Sequence, residues 1–456
     1  MGAVAPPLTA SESSWTRWRR RWPGRGHLLV ISPDRVTGMN AVLDELTWRG
    51  LIAHSTDLEA MAERMDQGPV SFYVGFDPTG PSLHIGHLIQ LVTARRLQDA
   101  GHKPVLLVGG ATGLIGDPKE TGERVMNSPE VVAGWVERLR DQARRFVSFE
   151  GENAATMVNN LDWTSQMNVV EFLRDIGKHF PVNRMLARDI VAKRLEAGIS
   201  FTEFSYVLLQ SMDYLQLHRL HGVDLQTGGS DQWGNITAGV DLIRRVTGDH
   251  VHALSTPLLT KADGTKFGKT EGGGIWIDPE MTSPYAFHQF FLNAEDAKVI
   301  EYLKVFSPRG REEIDELEAL TASEPHRRAA QRALADDITD LVHGREEREA
   351  ATQAAAALFG RAELDSLPES TLAHVAREVG GGALEGAELP TVAEALQLAG
   401  VVASRSAGRR AIEEGGAYLN NQKVTDTDAV LSEQDFLAGT WAVLRRGRRT
   451  IGLLQR

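Results

Sequence analysis

His84 and His87 are three residues apart, the interval that sets two side chains on one face of a helix. The residues before them supply a platform. Val70, Phe72 and Val74 alternate with Ser71 and Tyr73, the period of a strand. Gly75, Asp77, Pro78, Gly80 and Pro81 then break the strand into a tight turn. Ser82 sits where an N-cap belongs, ahead of Leu88, Leu91, Val92 and Leu97 in helical spacing. Imidazole N–H donors, the free backbone N–H groups of a first helical turn and the positive end of its dipole together suit an anion such as a phosphate. Glycine at 86 leaves room for a flat ring against the backbone. A surface helix that happens to carry two histidines is the plain alternative. The strand and turn in front argue against it.

Four more polar clusters follow. Gly110, Gly113 and Gly116 are spaced GxxGxxG, neither the dinucleotide nor the phosphate-loop pattern. The glycines alone read as a turn, but Asp117 at their end is a carboxylate fit for an ammonium or a ribose hydroxyl. Tyr206, Gln210 and Asp213 fall at i, i+4 and i+7, one helical stripe. Val207, Leu208, Met212 and Leu215 surround it, so a polar pocket is favoured over a solvated face. Gly228 and Gly229 precede Asp231 and Gln232, which open a helix through Ile236, Val240 and Ile243; Asp231 also suits a cap. Last, Lys261, Lys266 and Lys269 lie among Gly264, Gly268 and Gly272. Glycines give such a loop mobility, and ammonium groups meet triphosphate charge. Taken alone it reads as a solvated basic loop.

The His84-Ile85-Gly86-His87 tetrad after such a strand resembles the signature of class I aminoacyl-tRNA synthetases. The run over residues 73–88 resembles the bacterial tyrosyl-tRNA synthetases in particular. Lys266-Phe267-Gly268-Lys269-Thr270 resembles the second signature of that family, usually Lys-Met-Ser-Lys-Ser; both lysines remain. TVAEALQLAGVVASRSAGRRAIEEGGAYLNNQKV near the C-terminus resembles the S4-type RNA-binding module. A charged domain docked on its own chain is the alternative there. The resemblance runs from about residue 39 to the end, with the motifs in the family's order.

That resemblance implies an activity and a set of roles. The chain would join L-tyrosine to ATP, release pyrophosphate, and pass the tyrosyl group to the terminal adenosine of tRNA(Tyr). Tyr73 and Asp213 resemble the pair that binds the substrate phenol. Asp117, Tyr206 and Gln210 resemble the group around its ammonium, with Gln232 near the carboxylate and Asp77 and Gln226 in the surround. Gly75, Thr79, His84, Gly86, His87, Gly229 and Asp231 match ATP-site positions. Lys266, Lys269 and Thr270 match the mobile loop over the phosphates. His84, His87, Thr79, Lys266 and Lys269 would be the catalytic groups. Arg405, Arg409, Arg410 and Lys423 would meet RNA phosphates. Magnesium would accompany ATP, with no tightly bound cofactor and no protein metal cage.

The elements that must hold these residues follow from pattern and from the family. Strand, helix, then the apolar strand at residues 104–108 imply a right-handed parallel crossover, with ligands beyond the carboxyl ends of the strands. The expected fold class is α/β: a Rossmann-like parallel-sheet catalytic domain over residues 39–275, an α-helical domain over 276–359, a flexible glycine-bearing linker over 360–388, and a small S4-type α+β domain over 389–456. Residues 39–65 read as helical, interrupted at Gly50. Residues 130–200 read as mostly helical and amphipathic; the family implies that this insertion forms the interface of a homodimer. Residues 1–38 crowd tryptophan and arginine together and read as a disordered extension or, less simply, a basic RNA-binding arm.

Composition narrows the class. At 456 residues two to three domains are expected, and 42% hydrophobic residues support an ordinary core. The net charge of −12 argues against a surface that binds nucleic acid indiscriminately. With no cysteine there is no disulfide or thiolate chemistry, consistent with a cytoplasmic protein. No apolar run approaches a membrane span. The rival functions are a tryptophanyl relative, a silent RNA-binding regulator on the same scaffold, and a nucleotidyltransferase that uses no RNA. Tyr73, Asp213, the intact signatures and the basic C-terminal module weigh against them.

Overall fold

The computed structural model describes residues 40–118, 127–195, 198–270, 273–358, 363–384, 386, 388–447 and 450–456. The expected extension at residues 1–38 lies outside them. The chain divides into two compact units, Met1–Asp278 with Glu295–Ser323, and Pro279–Ala294 with Glu324–Arg456.

The first unit begins with α1 (Ala41–Trp48), β1 (His54–Ser55) and α2 (Leu58–Asp66). The helical expectation for this stretch therefore needs one correction: after the turn at Gly50 the chain is extended. Next come β2 (Ser71–Phe76), α3 (Ile85–Asp99), β3 (Lys103–Val108) and α4 (Pro129–Ala143). β4 (Thr156–Asn159) follows, then α5 (Phe201–His221), β5 (Val223–Gly229), α6 (Trp233–Val246), β6 (His252–Thr256) and the two-residue strands β7 (Lys269–Thr270) and β8 (Gly273–Gly274). The sheet order is β1-β6-β5-β2-β3-β4. All neighbours are parallel except β1, which runs antiparallel to β6. β4 lies inside the insertion expected to be mostly helical, whose other described elements are helices and helical turns.

β2 is central, and the chain turns back on its other side through β5. That reversal is where an open α/β sheet leaves a crevice beyond its strand ends. Phe72, Tyr73, Val74 and Phe76 are all buried, because a central parallel strand is covered on both faces. The alternation seen in the sequence is thus only partial.

The start of α3 also differs from expectation. His84, not Ser82, is the N-cap. The Ser82 hydroxyl instead lies 2.8 Å from the Leu83 carbonyl and 3.3 Å from Gln142 Oε1 on α4. Further along α3, buried Arg96 donates to the carbonyls of Val305 and Ser307, 2.9 Å each. Those carbonyls lie at the end of α8 (Val299–Phe306), which follows α7 (Pro284–Leu292). α8 and α9 (Arg311–Ser323) belong to the first unit. Residues 276–359 are therefore not one helical domain, as expected, but are shared between the two units.

The second unit contains α7, α10 (Ala329–Val342), α11 (Arg345–Leu358) and α12 (Glu369–Val379). It continues with β9 (Gly381–Ala383), α13 (Val392–Leu398), α14 (Arg405–Glu413), β10 (Ala417–Leu419), β11 (Gln422–Lys423), β12 (Trp441–Arg446) and β13 (Thr450–Gln455). Its sheet order is β11-β10-β12-β13-β9, with β9 parallel to β13. Alternate residues of β12 and β13 serve two cores. Trp441, Val443, Ile451 and Leu453 pack with α7, α11 and α12, whereas Ala442, Leu444 and Leu454 pack with α13 and α14. The described part of residues 360–388 is thus a helix and a strand built into that first core, not a flexible linker.

Candidate active site

The crevice beyond β2 and β5 is a cavity of about 640 Å³, lined entirely by the first unit. At its floor Tyr73 is 2% exposed and its hydroxyl has no hydrogen-bond partner. Burial, with the nearby Asp213 charge, pushes the Tyr73 pKa well above its ordinary value, so the phenol stays protonated. Asp213 is equally buried. Asn160 Nδ2 and Trp163 Nε1 each donate to it at 2.9 Å. Burial raises its carboxyl to about 7, against the pull of those two hydrogen bonds. Gln210 Oε1 and Gln226 Oε1 are also buried without a partner. A buried polar atom left unpaired carries a desolvation penalty. The floor therefore holds unmet hydrogen-bonding capacity around a carboxyl, suited to a ligand that brings a hydroxyl into an aromatic slot.

Higher up, two carboxylates are anchored separately. Asp77 accepts from the Tyr206 hydroxyl and from Thr112 Oγ1, both at 2.6 Å. Asp117 accepts from Gln232 Nε2 at 2.8 Å and Asn235 Nδ2 at 3.2 Å. All the amino-acid-site residues proposed from sequence line this one cavity: Tyr73, Asp77, Asp117, Tyr206, Gln210, Asp213, Gln226 and Gln232. Sequence reading missed Asn160, Trp163, Thr112 and Asn235. The first two sit behind Asp213 at the end of β4, an element with no clear pattern of its own.

At the mouth, His84 and His87 stack with ring centroids 3.9 Å apart. The His84 backbone N–H donates to His87 Nδ1 at 3.2 Å, and the Gly86 N–H donates to His84 Nδ1 at 3.0 Å. The Ile85 N–H meets the Ile275 carbonyl and the His87 N–H meets that of His84. The first-turn N–H groups are therefore already used, contrary to the expectation that they stay free for an anion. Since Nδ1 accepts in both rings, a neutral imidazole carries its proton on Nε2. Burial and the His84 neighbour hold the His87 pKa well below its ordinary value, so that ring is neutral. A Cβ at Gly86 would lie 2.8 Å from His84 Cε1; the flat ring that glycine admits here is the imidazole itself. Asp231 is not a helix cap, since Gln232 precedes α6 without a side-chain cap and Ser230–Gln232 form a single 3₁₀ turn.

Gly75, Thr79, His84, Gly86, His87, Gly229, Asp231 and Lys266 all line the mouth. The lysine loop is a hairpin: Thr260 bridges Lys266, and Phe267 stacks on Tyr302 of α8 at 4.0 Å. The Tyr302 hydroxyl donates to the Thr260 carbonyl at 2.9 Å. Gly268 has φ +85°, and a Cβ there would fall 2.5 Å from Ile85. Glycine in this signature thus answers a positive φ and a close approach to α3. The Lys269 and Thr270 backbones pair with Gly274 and Gly273; their side chains lie outside the described atoms. Among the described residues no cluster of three or more His, Cys, Asp or Glu side chains is arranged to hold a metal.

In the second unit Arg405, Arg409, Arg410 and Lys423 are exposed. Arg405 pairs with Glu394 at 2.7 Å, and Arg409 with Asp428. These arginines hold acids of their own domain as well as facing solvent.

The chain is similar to known proteins over most of its length. The profile of the family described as class I tRNA synthetases (W and Y) matches residues 65–360, and that of the tyrosine–tRNA ligase SYY-like C-terminal domain matches residues 373–454. The chain is 63% identical to the tyrosine–tRNA ligase of Cutibacterium acnes over 92% of this chain and 100% of that one. It is 61% identical to that of Kineococcus radiotolerans, covering 91% and 98%. Among solved structures, a C-terminally truncated mitochondrial tyrosyl-tRNA synthetase of Coccidioides posadasii superposes with TM-score 0.61 at 31% identity, covering 69% of this chain and 91% of that one.

Proposed function

From the premise that this chain belongs to the tyrosine–tRNA ligase family of class I aminoacyl-tRNA synthetases, we propose how its cavity performs that family's reaction. The chain activates L-tyrosine with ATP, giving tyrosyl-adenylate and pyrophosphate, and transfers the tyrosyl group to tRNA. The observation that carries the residue assignments is the unpartnered Tyr73 hydroxyl beside Asp213 at the floor of a cavity whose mouth holds His84 and His87.

In this reading the substrate phenol fills the floor and bonds Tyr73 and Asp213. Phenylalanine would leave both unsatisfied in a buried site. Tyr206, Gln210 and Asp117 take the ammonium, with Asp77 holding the Tyr206 hydroxyl. Gln232, tied to Asp117, lies toward the carboxylate. That carboxylate is already a nucleophile, so no general base is needed. One oxygen attacks the α-phosphorus as the bond to the bridging oxygen breaks, and pyrophosphate leaves with the electron pair. Catalysis is then placement plus stabilisation of charge on the leaving group. His84 and His87 offer Nε2–H donors whose direction the backbone fixes. Lys266, joined by Lys269 on the same hairpin, supplies positive charge; Thr79, Gly75, Gly86, Gly229, Asp231 and Thr270 complete the ATP side. Magnesium arrives with ATP as part of the substrate.

Three further parts of the reading concern the whole protein. Arg405, Arg409, Arg410 and Lys423 contact tRNA(Tyr) phosphates. The chain works as a homodimer, supported by the exposed apolar side chains Val169, Val170, Leu173 and Val182 of the insertion; light scattering of the wild type and of Val170→Asp tests it. The protein acts in the cytoplasm; no described helix is long and apolar enough to cross a membrane. The deciding experiment is ATP–pyrophosphate exchange with each amino acid in turn, followed by charging of total tRNA. Exchange with tryptophan rather than tyrosine would overturn the floor assignments.

A further inference from the structure

We infer that Arg188 is a positioning residue for the ammonium end of the amino-acid site, acting through Asn235 to fix which way two amides face Asp117. The inference rests on reading Asp117 as an ammonium partner. Arg188 does not line the cavity; it lies behind it, partly buried. Its Nη2 donates to Asn235 Oδ1. A guanidinium has donors and no acceptor, so Asn235 must turn its oxygen outward and its NH₂ inward. That NH₂ donates to Asp117 Oδ1 at 3.2 Å and to Gln232 Oε1 at 2.9 Å. With its oxygen so engaged, Gln232 presents Nε2 to Asp117 Oδ2 at 2.8 Å. Each carboxylate oxygen therefore receives one amide N–H.

Reversing either amide would set a carbonyl oxygen against the Asp117 carboxylate. The acceptor-only carboxylate at one end and the donor-only cation at the other therefore impose the same sense, and the cation holds it from the outer end. The seat for it is built: a Cβ at Gly234 would lie 3.1 Å from Arg188 Nη2, and Asn235 is 3% exposed. Burial pulls the Arg188 pKa down, and the charge of Asp117 pushes it back up. The guanidinium and the carboxylate thus support each other through the amides between them.

Arg188→Met keeps much of the stem over Gly234 and removes every donor; Arg188→Lys keeps a donor-only cation. Three probes separate the ends of the ligand: L-tyrosine, tyramine, which has the ammonium alone, and 3-(4-hydroxyphenyl)propionate, which has the carboxylate alone. With Arg188→Met we expect KM for tyrosine and the inhibition constant of tyramine to rise about tenfold or more, the scale of a hydrogen bond to a charged group. The propionate should weaken less than tyramine, since it reaches only Gln232, KM for ATP should stay unchanged, and Arg188→Lys should restore most of the loss. Equal weakening of all three probes, no weakening of any, or a lysine variant no better than the methionine one would each overturn the inference. So would a defect confined to tRNA charging with pyrophosphate exchange intact, which would place Arg188 on the RNA surface instead. Wild-type protein in which tyramine fails to compete with tyrosine would remove the ammonium site itself, and the inference with it.

Discussion

Asp213 shows how a single carboxyl links recognition to stability. Its pKa is raised from 3.8 to about 7 by burial, so the folded chain holds this proton more tightly than the unfolded one. Below the unfolded value both states are protonated and the group is neutral toward folding. As pH rises toward 7 the folded state loses stability, by up to roughly 1.4 kcal/mol per pH unit for one group. We expect denaturation midpoints of wild type and Asp213→Asn to diverge over that window, with the variant lacking this part of the slope. The same variant should lose most tyrosine-dependent pyrophosphate exchange while ATP binding holds. Trp163→Phe removes one of the two hydrogen bonds that oppose burial, so KM for tyrosine should rise about tenfold or more. Tyr206, Gln210 and Asp213 were legible from their spacing as one polar stripe among the apolar residues of a single helix. Asn160, Trp163 and Asn235 were not, because each acts on another side chain rather than belonging to a repeating pattern.

Helix α3 and the lysine hairpin meet at the mouth, and each carries a device that pattern reading misjudged. Serine is the usual cap, so Ser82 drew the assignment; folding instead gives the cap to His84. His84→Ala should therefore cost about 1 kcal/mol in chemical denaturation, the scale of a lost N-cap, besides slowing adenylate formation in single-turnover assays. An isolated activity loss with unchanged stability would contradict the capping role. Gly268 read as a source of mobility, yet its φ of +85° and the 2.5 Å approach of Ile85 to its Cβ position describe a fitted contact. Gly268→Ala should displace the hairpin and slow adenylate formation while tyrosine affinity stays unchanged. Neither a positive φ nor a contact between segments so distant in sequence is visible in local composition.

The order of domains was legible from the order of motifs, but their boundaries were not. Apolar periodicity shows that α8 and α9 are helices without showing which core they join; Arg96 and Tyr302 tie α8 to the first unit. Glycines at 380–382 suggested a linker, although Gly381 and Gly382 pair with Leu453 and Leu454 in the sheet. Deleting residues 389–456 should therefore strip cover from Leu372 and Val375 of α12. Hydrogen exchange should then show lost protection in α11 and α12. Tyrosine-dependent pyrophosphate exchange should survive, because the cavity is lined by the first unit alone.

The Tyr73 hydroxyl has one further consequence. A protein whose interior lacks one partner until its amino acid arrives is held together better when fed than when starved. Melting temperature should climb with added L-tyrosine and hardly respond to L-phenylalanine. In a growing cell, where degradation samples the unfolded fraction, the abundance of this catalyst would then follow the supply of its own raw material.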